Sequence, residues 1–105
     1  MRFFNFFTQE LAVDLGTANT LIIQNEKVVV DEPSIVAINR NTGEVIAVGN
    51  KAMQMHEKTH DNIKTIRPLK DGVIADFQAA EALIQGLINM IGEKRRFFTH
   101  FQMVI

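Results

Sequence analysis

"LAVDLGTANTLII", residues 11–23, is the stretch whose reading decides the fold. Two apolar runs with strand character flank Asp14-Leu15-Gly16-Thr17-Ala18-Asn19-Thr20. Two residues such as Asn-Gly suffice to close a hairpin. This turn is longer and rich in hydroxyl and amide groups. Gly16 lets backbone approach a ligand closely, and successive N–H groups from Gly16 to Asn19 can form a concave nest for an anion. The Thr17 and Thr20 hydroxyls and the Asn19 amide add donors. Asp14 is compatible with a phosphate only if a divalent cation lies between them, and magnesium favours carboxylates, waters and phosphate oxygens. The same residue types also populate ordinary polar loops, so chemistry alone leaves both readings open. A P-loop is excluded: no G-x-x-x-x-G-K-[ST] is present.

Working outward, residues 10–15 and 20–24 read as strands around this turn, and "KVVV" (27–30) continues the sheet. "SIVAI" (34–38) and "EVIAV" (44–48) flank "NRNTG", a hairpin loop with Gly43 available for positive φ. The pattern predicts a β-meander up to residue 49, then a short helix over 50–59 capped by Asn50. Residues 62–72 read as a strand-like connector. From Asp76, Phe77, Ala80, Leu83, Ile84, Leu87, Ile88 and Ile91 recur at helical spacing, which predicts a helix over 76–92 capped by Asp76 and ended by Gly92. Gly86 inside it costs about 1 kcal/mol against alanine, so close packing or a weakened helix is expected there. "EKRRFFTH" (93–100) reads as a basic, aromatic loop and "FQMVI" (101–105) as the start of a strand.

Composition bounds the function. Of 105 residues, 47% are hydrophobic and 22% charged, as in a globular domain with a real core. A net charge of −1 implies no general attraction to nucleic acid. The absence of cysteine excludes disulfides, thiolate metal sites and cysteine catalysis, and fits a reducing compartment. "MRFFNFFTQE" (1–10) lacks the apolar stretch of a secretory signal, because Asn5 interrupts it and Glu10 ends it. In "HEKTHD" (56–61) the two histidines have the spacing of H-E-x-x-H. Thr59 and Asp61-Asn62 weaken a helix there and no third ligand is evident, so a solvated surface is the better account. Met53, Met55, Met90 and Met103 read as core gap-fillers.

"AVDLGTANTLII" resembles the first phosphate loop of the actin-like ATPase superfamily. "VDEPSIVAI", "TGEVIAVG" and "IKTIRPLKDGVIADF" narrow the resemblance to the bacterial rod-shape-determining MreB family, in order and over nearly the whole chain. The resemblance implies an α/β fold: the N-terminal part of an actin-like (ribonuclease H-like) ATPase domain, with a mixed β-sheet, a β-meander and a packing helix. Residues 10–105 would then be a partial domain I, with subdomain IA strands at about 10–30 and its helix at 76–92, and subdomain IB at about 31–72. Gly16, Thr17, Ala18 and Asn19 would bind the phosphates of ATP, and Asp14 would reach Mg through water. The family's chain is much longer, so a truncated piece is expected here. Without a second phosphate loop and a catalytic acid, no ATP hydrolysis is expected from these residues alone.

The resemblance also implies a cytoplasmic protein, peripheral to the inner face of the cell membrane, that self-assembles into filaments and guides cell-wall synthesis with other morphogenesis proteins. Residues 1–9, through Phe3, Phe4, Phe6 and Phe7, and the later Phe97 and Phe98 match the family's membrane-contacting positions. Their alternative is packing, as a strand at the sheet edge and under the helix. Two rival functions are a metabolic or chaperone ATPase on the same core, and a non-catalytic piece that binds only membrane or partner filaments.

Overall fold

Alternation of apolar residues builds the first sheet. The computed structural model describes residues 4–7, 11–58 and 61–104, with side chains for 11–58 and 61–92. Strands β1 (Phe4–Phe7), β2 (Leu11–Leu15), β3 (Asn19–Gln24) and β4 (Lys27–Pro33) pair antiparallel in chain order. Residues directly opposite in such a ladder share a face. Val13 pairs with Ile22, Leu15 with Thr20 and Ile22 with Val30, and all five are buried. That face forms one wall of the core.

The expected single meander divides into two sheets at Pro33–Ile35. Strand β5 (Val36–Asn39) sits between β6 (Val45–Val48) and β7 (Ile63–Ile66) in a separate antiparallel sheet. The division has a local cause: Ser34 turns its N–H and hydroxyl back onto the Gly16–Ala18 link rather than onto a strand partner. The "NRNTG" hairpin forms as predicted. Asn39 Oδ1 accepts the N–H groups of Asn41 and Thr42, and Gly43 has φ 76°.

Helix α1 (Asn50–Glu57) corrects the expected cap. The N-cap is Gly49 at φ 66°, and Asn50 donates its backbone N–H and side-chain amide to the Glu32 carboxylate of β4. The positive φ of Gly49 strains any other residue, and a Cβ there would also lie 2.5 Å from that carboxylate, so the position favours glycine. The helix stops at Glu57, short of 59, because Lys58 is extended. Ala52, Met53 and Met55 pack on Ala37 and Ala47, while Val36 and Val48 belong to the main core with α2.

After β7 the connector folds into a small hairpin, β8 (Leu69–Lys70) and β9 (Val73–Ile74). Asp71 and Gly72 both have positive φ, 53° and 78°, the signature of a tight Asp-Gly turn. Helix α2 (Phe77–Val104) follows. Asp76 Oδ1 accepts the Ala79 N–H at 3.0 Å, as an N-cap should. Ala80, Leu83, Leu87 and Ile91 are buried, whereas Phe77 is 73% exposed.

Two expectations fail at the far end of α2. The helix continues through Gly92 to Val104, so neither a loop over 93–100 nor a strand from 101 forms. Gly92 lacks the left-handed φ that a glycine stop requires. The Glu-Lys-Arg-Arg run after it consists of strong helix formers. Among the described residues no helix is long and apolar enough to cross a membrane.

Candidate functional site

The link between β2 and β3 is shorter than the sequence implies. Asp14 and Leu15 belong to β2 and Asn19 and Thr20 to β3, leaving Gly16, Thr17 and Ala18 between them. Leu15 and Thr20 form the last register pair. Thr17, Ala18 and Asn19 are exposed, and Asp14 and Gly16 are half-buried. A Cβ on Gly16 would lie 2.5 Å from the Asn19 carbonyl oxygen, so the tight approach of the two strand ends requires glycine.

Hydrogen bonds hold the link from two sides. Ser34 Oγ donates to the Gly16 carbonyl at 2.6 Å, and the Ser34 N–H donates to the Ala18 carbonyl at 2.8 Å. The single Ser34 proton is thereby used, so the Thr20 hydroxyl, 2.7 Å away, donates to Ser34 Oγ. Thr20 and Ser34 are both fully buried. Thr20 is therefore a structural clasp and not an outward donor, which corrects one of the donors inferred from sequence. On the other side the Gly72 N–H donates to Thr17 Oγ1 at 2.7 Å across 55 residues, tying the link to the Asp71–Gly72 turn.

What remains for a ligand is a short exposed edge. The Thr17 oxygen is an acceptor towards Gly72, which leaves its O–H proton to donate outward. The backbone N–H groups of Thr17 and Ala18 make no hydrogen bond among the described residues. Asn19 Nδ2 spends one of its two protons on Asp31 Oδ1 at 3.1 Å. Unpaired N–H groups and a hydroxyl on a glycine-shaped link suit an anion, with Asp14 beside them to attract a cation. Thr17, Ala18 and Asn19 form the exposed tip, with Asp14 and Gly16 on the same strand-link segment.

Ser34 and Gly72 were not singled out by sequence reading. Asp71-Gly72, between Leu69-Lys70 and Val73-Ile74, carries the dipeptide signal of a hairpin turn. Nothing local to Ser34 marks it, since its partners lie 14 and 18 residues away. Phe3 lies outside the described residues, and Phe4, Phe6, Phe7, Phe97 and Phe98 are described by backbone alone. Phe4–Phe7 form the edge strand β1 on β2, and Phe97 and Phe98 are helical. Of the two histidines of "HEKTHD", His56 is in the last turn of α1, which ends at Glu57, and His60 lies outside the described residues. His56 Nδ1 instead pairs with Thr65 Oγ1 at 2.6 Å.

Comparison with known proteins identifies the family. Residues 8–105 match the family described as MreB/Mbl protein. The chain is 51% identical over 92 residues to the cell shape-determining protein Mbl of Bacillus cereus, covering 87% of this chain and 28% of that protein. It is 45% identical over 95 residues to the cell shape-determining protein MreB of Escherichia coli, covering 86% and 27%. Among solved structures, MreB 5 of Spiroplasma citri bound to AMPPNP superposes with a TM-score of 0.65 at 46% identity, over 71% of this chain and 23% of the other. The ADP-bound form superposes at 0.67 and 42% identity, over 78% and 25%. The chain thus spans little more than a quarter of the length of the curated relatives it matches.

Proposed function

Because this chain belongs to the MreB/Mbl family of actin-like proteins, we propose that it carries the first phosphate-binding loop of a bacterial cell-shape protein. In this reading the free N–H groups of Thr17 and Ala18, the Thr17 hydroxyl and the Asn19 amide meet the phosphates of ATP. Gly16 allows the close approach, and Asp14 holds Mg through water. One observation carries it: the link is braced by Ser34 and Gly72 while its exposed tip keeps unpaired donors. The likeness to an MreB solved with AMPPNP supports the same nucleotide class.

The wider role follows the family. Filaments of the protein lie on the inner face of the cytoplasmic membrane and guide cell-wall synthesis with morphogenesis partners, so that the cell stays rod-shaped. Phe3, Phe4, Phe6, Phe7, Phe97 and Phe98 supply the membrane contact. A buried phenylalanine is worth roughly 1.5–3 kcal/mol, less at an interface, so a monomer attaches marginally and a filament with many copies stays.

The nucleotide reading is tested by titrating Mg·AMPPNP into the isotopically labelled chain and following backbone amides. Shifts at Gly16–Asn19 are expected, with weak affinity, since one loop supplies only part of a site. Shifts confined to another region would remove the proposal. For the membrane, replacing Phe3, Phe4, Phe6 and Phe7 by serine should reduce co-sedimentation with anionic liposomes. Unchanged sedimentation with a lowered melting temperature would assign those residues to the sheet edge alone.

A further inference from the structure

A second concavity lies far along the chain from the phosphate loop, where the end of α1 meets β7. It has a volume of about 430 Å³ and is lined by Arg40, Met55, His56, Lys58, Ile63, Lys64 and Thr65. An arginine, two lysines and a histidine converge there in a chain whose net charge is only −1. Among the described residues no carboxylate lines it. Among the described residues Arg40, Lys58 and Lys64 form no ion pair. Glu57 and Asp61, the nearest acids in sequence, are exposed to solvent outside the lining.

Two of the basic groups are held in place. The Arg40 N–H donates to the Asn62 carbonyl at 2.9 Å, and Arg40 Nε lies 3.5 Å from the Ile63 carbonyl, which leaves the outer guanidinium nitrogens available. The His56 ring is fixed through Nδ1 by Thr65. The C-terminal end of α1 brings a partial negative charge, equivalent to about half an elementary charge, which three full positive charges outweigh. Met55 and Ile63 add an apolar wall. A volume of 430 Å³ falls in the ordinary range for small-molecule sites and exceeds what a bare phosphate fills.

We propose that this pocket binds a phosphate ester, with the phosphate among Arg40, Lys58 and Lys64 and its carbon skeleton against Met55 and Ile63. The ester is either a phospholipid headgroup or a soluble phosphate metabolite. The site is independent of the nucleotide loop.

The experiment follows backbone amides of the labelled 105-residue chain with two probes, glycerol 3-phosphate and phosphatidylglycerol vesicles, against neutral phosphatidylcholine vesicles. Shifts of Lys58, Lys64 and Thr65 with glycerol 3-phosphate support the proposal and identify a soluble source. The same shifts with phosphatidylglycerol vesicles alone support it and identify a headgroup. The Lys58→Gln, Lys64→Gln double variant should weaken binding about tenfold, as the loss of two exposed charge contacts implies. The Lys27→Gln, Lys51→Gln variant removes equal charge outside the pocket and should bind normally. All four lysines are exposed, so folding is preserved in both. Silence at these amides with both probes, or equal weakening in both variants, would overturn the proposal. Shifts at Thr17 and Ala18 with the pocket silent would overturn it too, and would leave the nucleotide reading standing.

Discussion

The Thr17 hydroxyl oxygen accepts a hydrogen bond from the Gly72 N–H, and Gly72 is buried. Removing that oxygen leaves a buried N–H without a partner, a loss of about 1–3 kcal/mol. Thr17→Val keeps the shape and removes the acceptor, so it should lower the melting temperature and speed hydrogen exchange at Gly72. Thr17→Ser keeps the acceptor and should restore both. Slow exchange at Gly72 in the valine variant would mean that the bond contributes nothing. Gly16 is constrained differently, since its limit is the Asn19 carbonyl rather than a flexible side chain.

At the scale of elements, Gly86 decides how closely α2 approaches the second sheet. A Cβ there would lie 2.7 Å from Val48 Cγ2. Alanine gains about 1 kcal/mol of helix propensity. Overpacking against a stiff, buried valine costs about 1–3 kcal/mol. Gly86→Ala should therefore destabilise by up to about 2 kcal/mol. Combined with Val48→Ala it should cost less than the sum of the two single changes, as urea unfolding would read out; strict additivity would mean that the two side chains do not meet. The sequence already raised close packing at Gly86 as one outcome, and the strands, the "NRNTG" hairpin and the Asp76 cap were legible because each rests on neighbours in the chain. The Glu32 cap of α1 and the Ser34 clasp were not, because their partners lie 14–18 residues away. The end of α2 was misread because Gly92 resembles a stop, whereas a stop needs left-handed backbone that it does not adopt.

For the whole molecule, the radius of gyration is 14.8 Å, against about 13 Å for a compact domain of this length. The difference follows the 28-residue α2, which at 1.5 Å per residue spans about 42 Å, close to the longest extent of 47 Å. An open apolar groove of about 600 Å³ lies between β2 and α2, flanked by Leu11, Ile74, Phe77, Ile84 and Ile88. An exposed patch of this kind recruits apolar partners. The isolated chain should enhance anilinonaphthalene sulfonate fluorescence, and Phe77→Ser should reduce that signal with little change in melting temperature, since Phe77 is 73% exposed. Equal fluorescence in the variant would place the dye elsewhere. The bond between Thr17 and Gly72 has a consequence in time as well as in space. During translation the loop emerges early, but its brace is 55 residues away. At ribosomal speeds of ~5–20 residues per second, the nascent loop waits roughly 3–11 s before its second support is even synthesised.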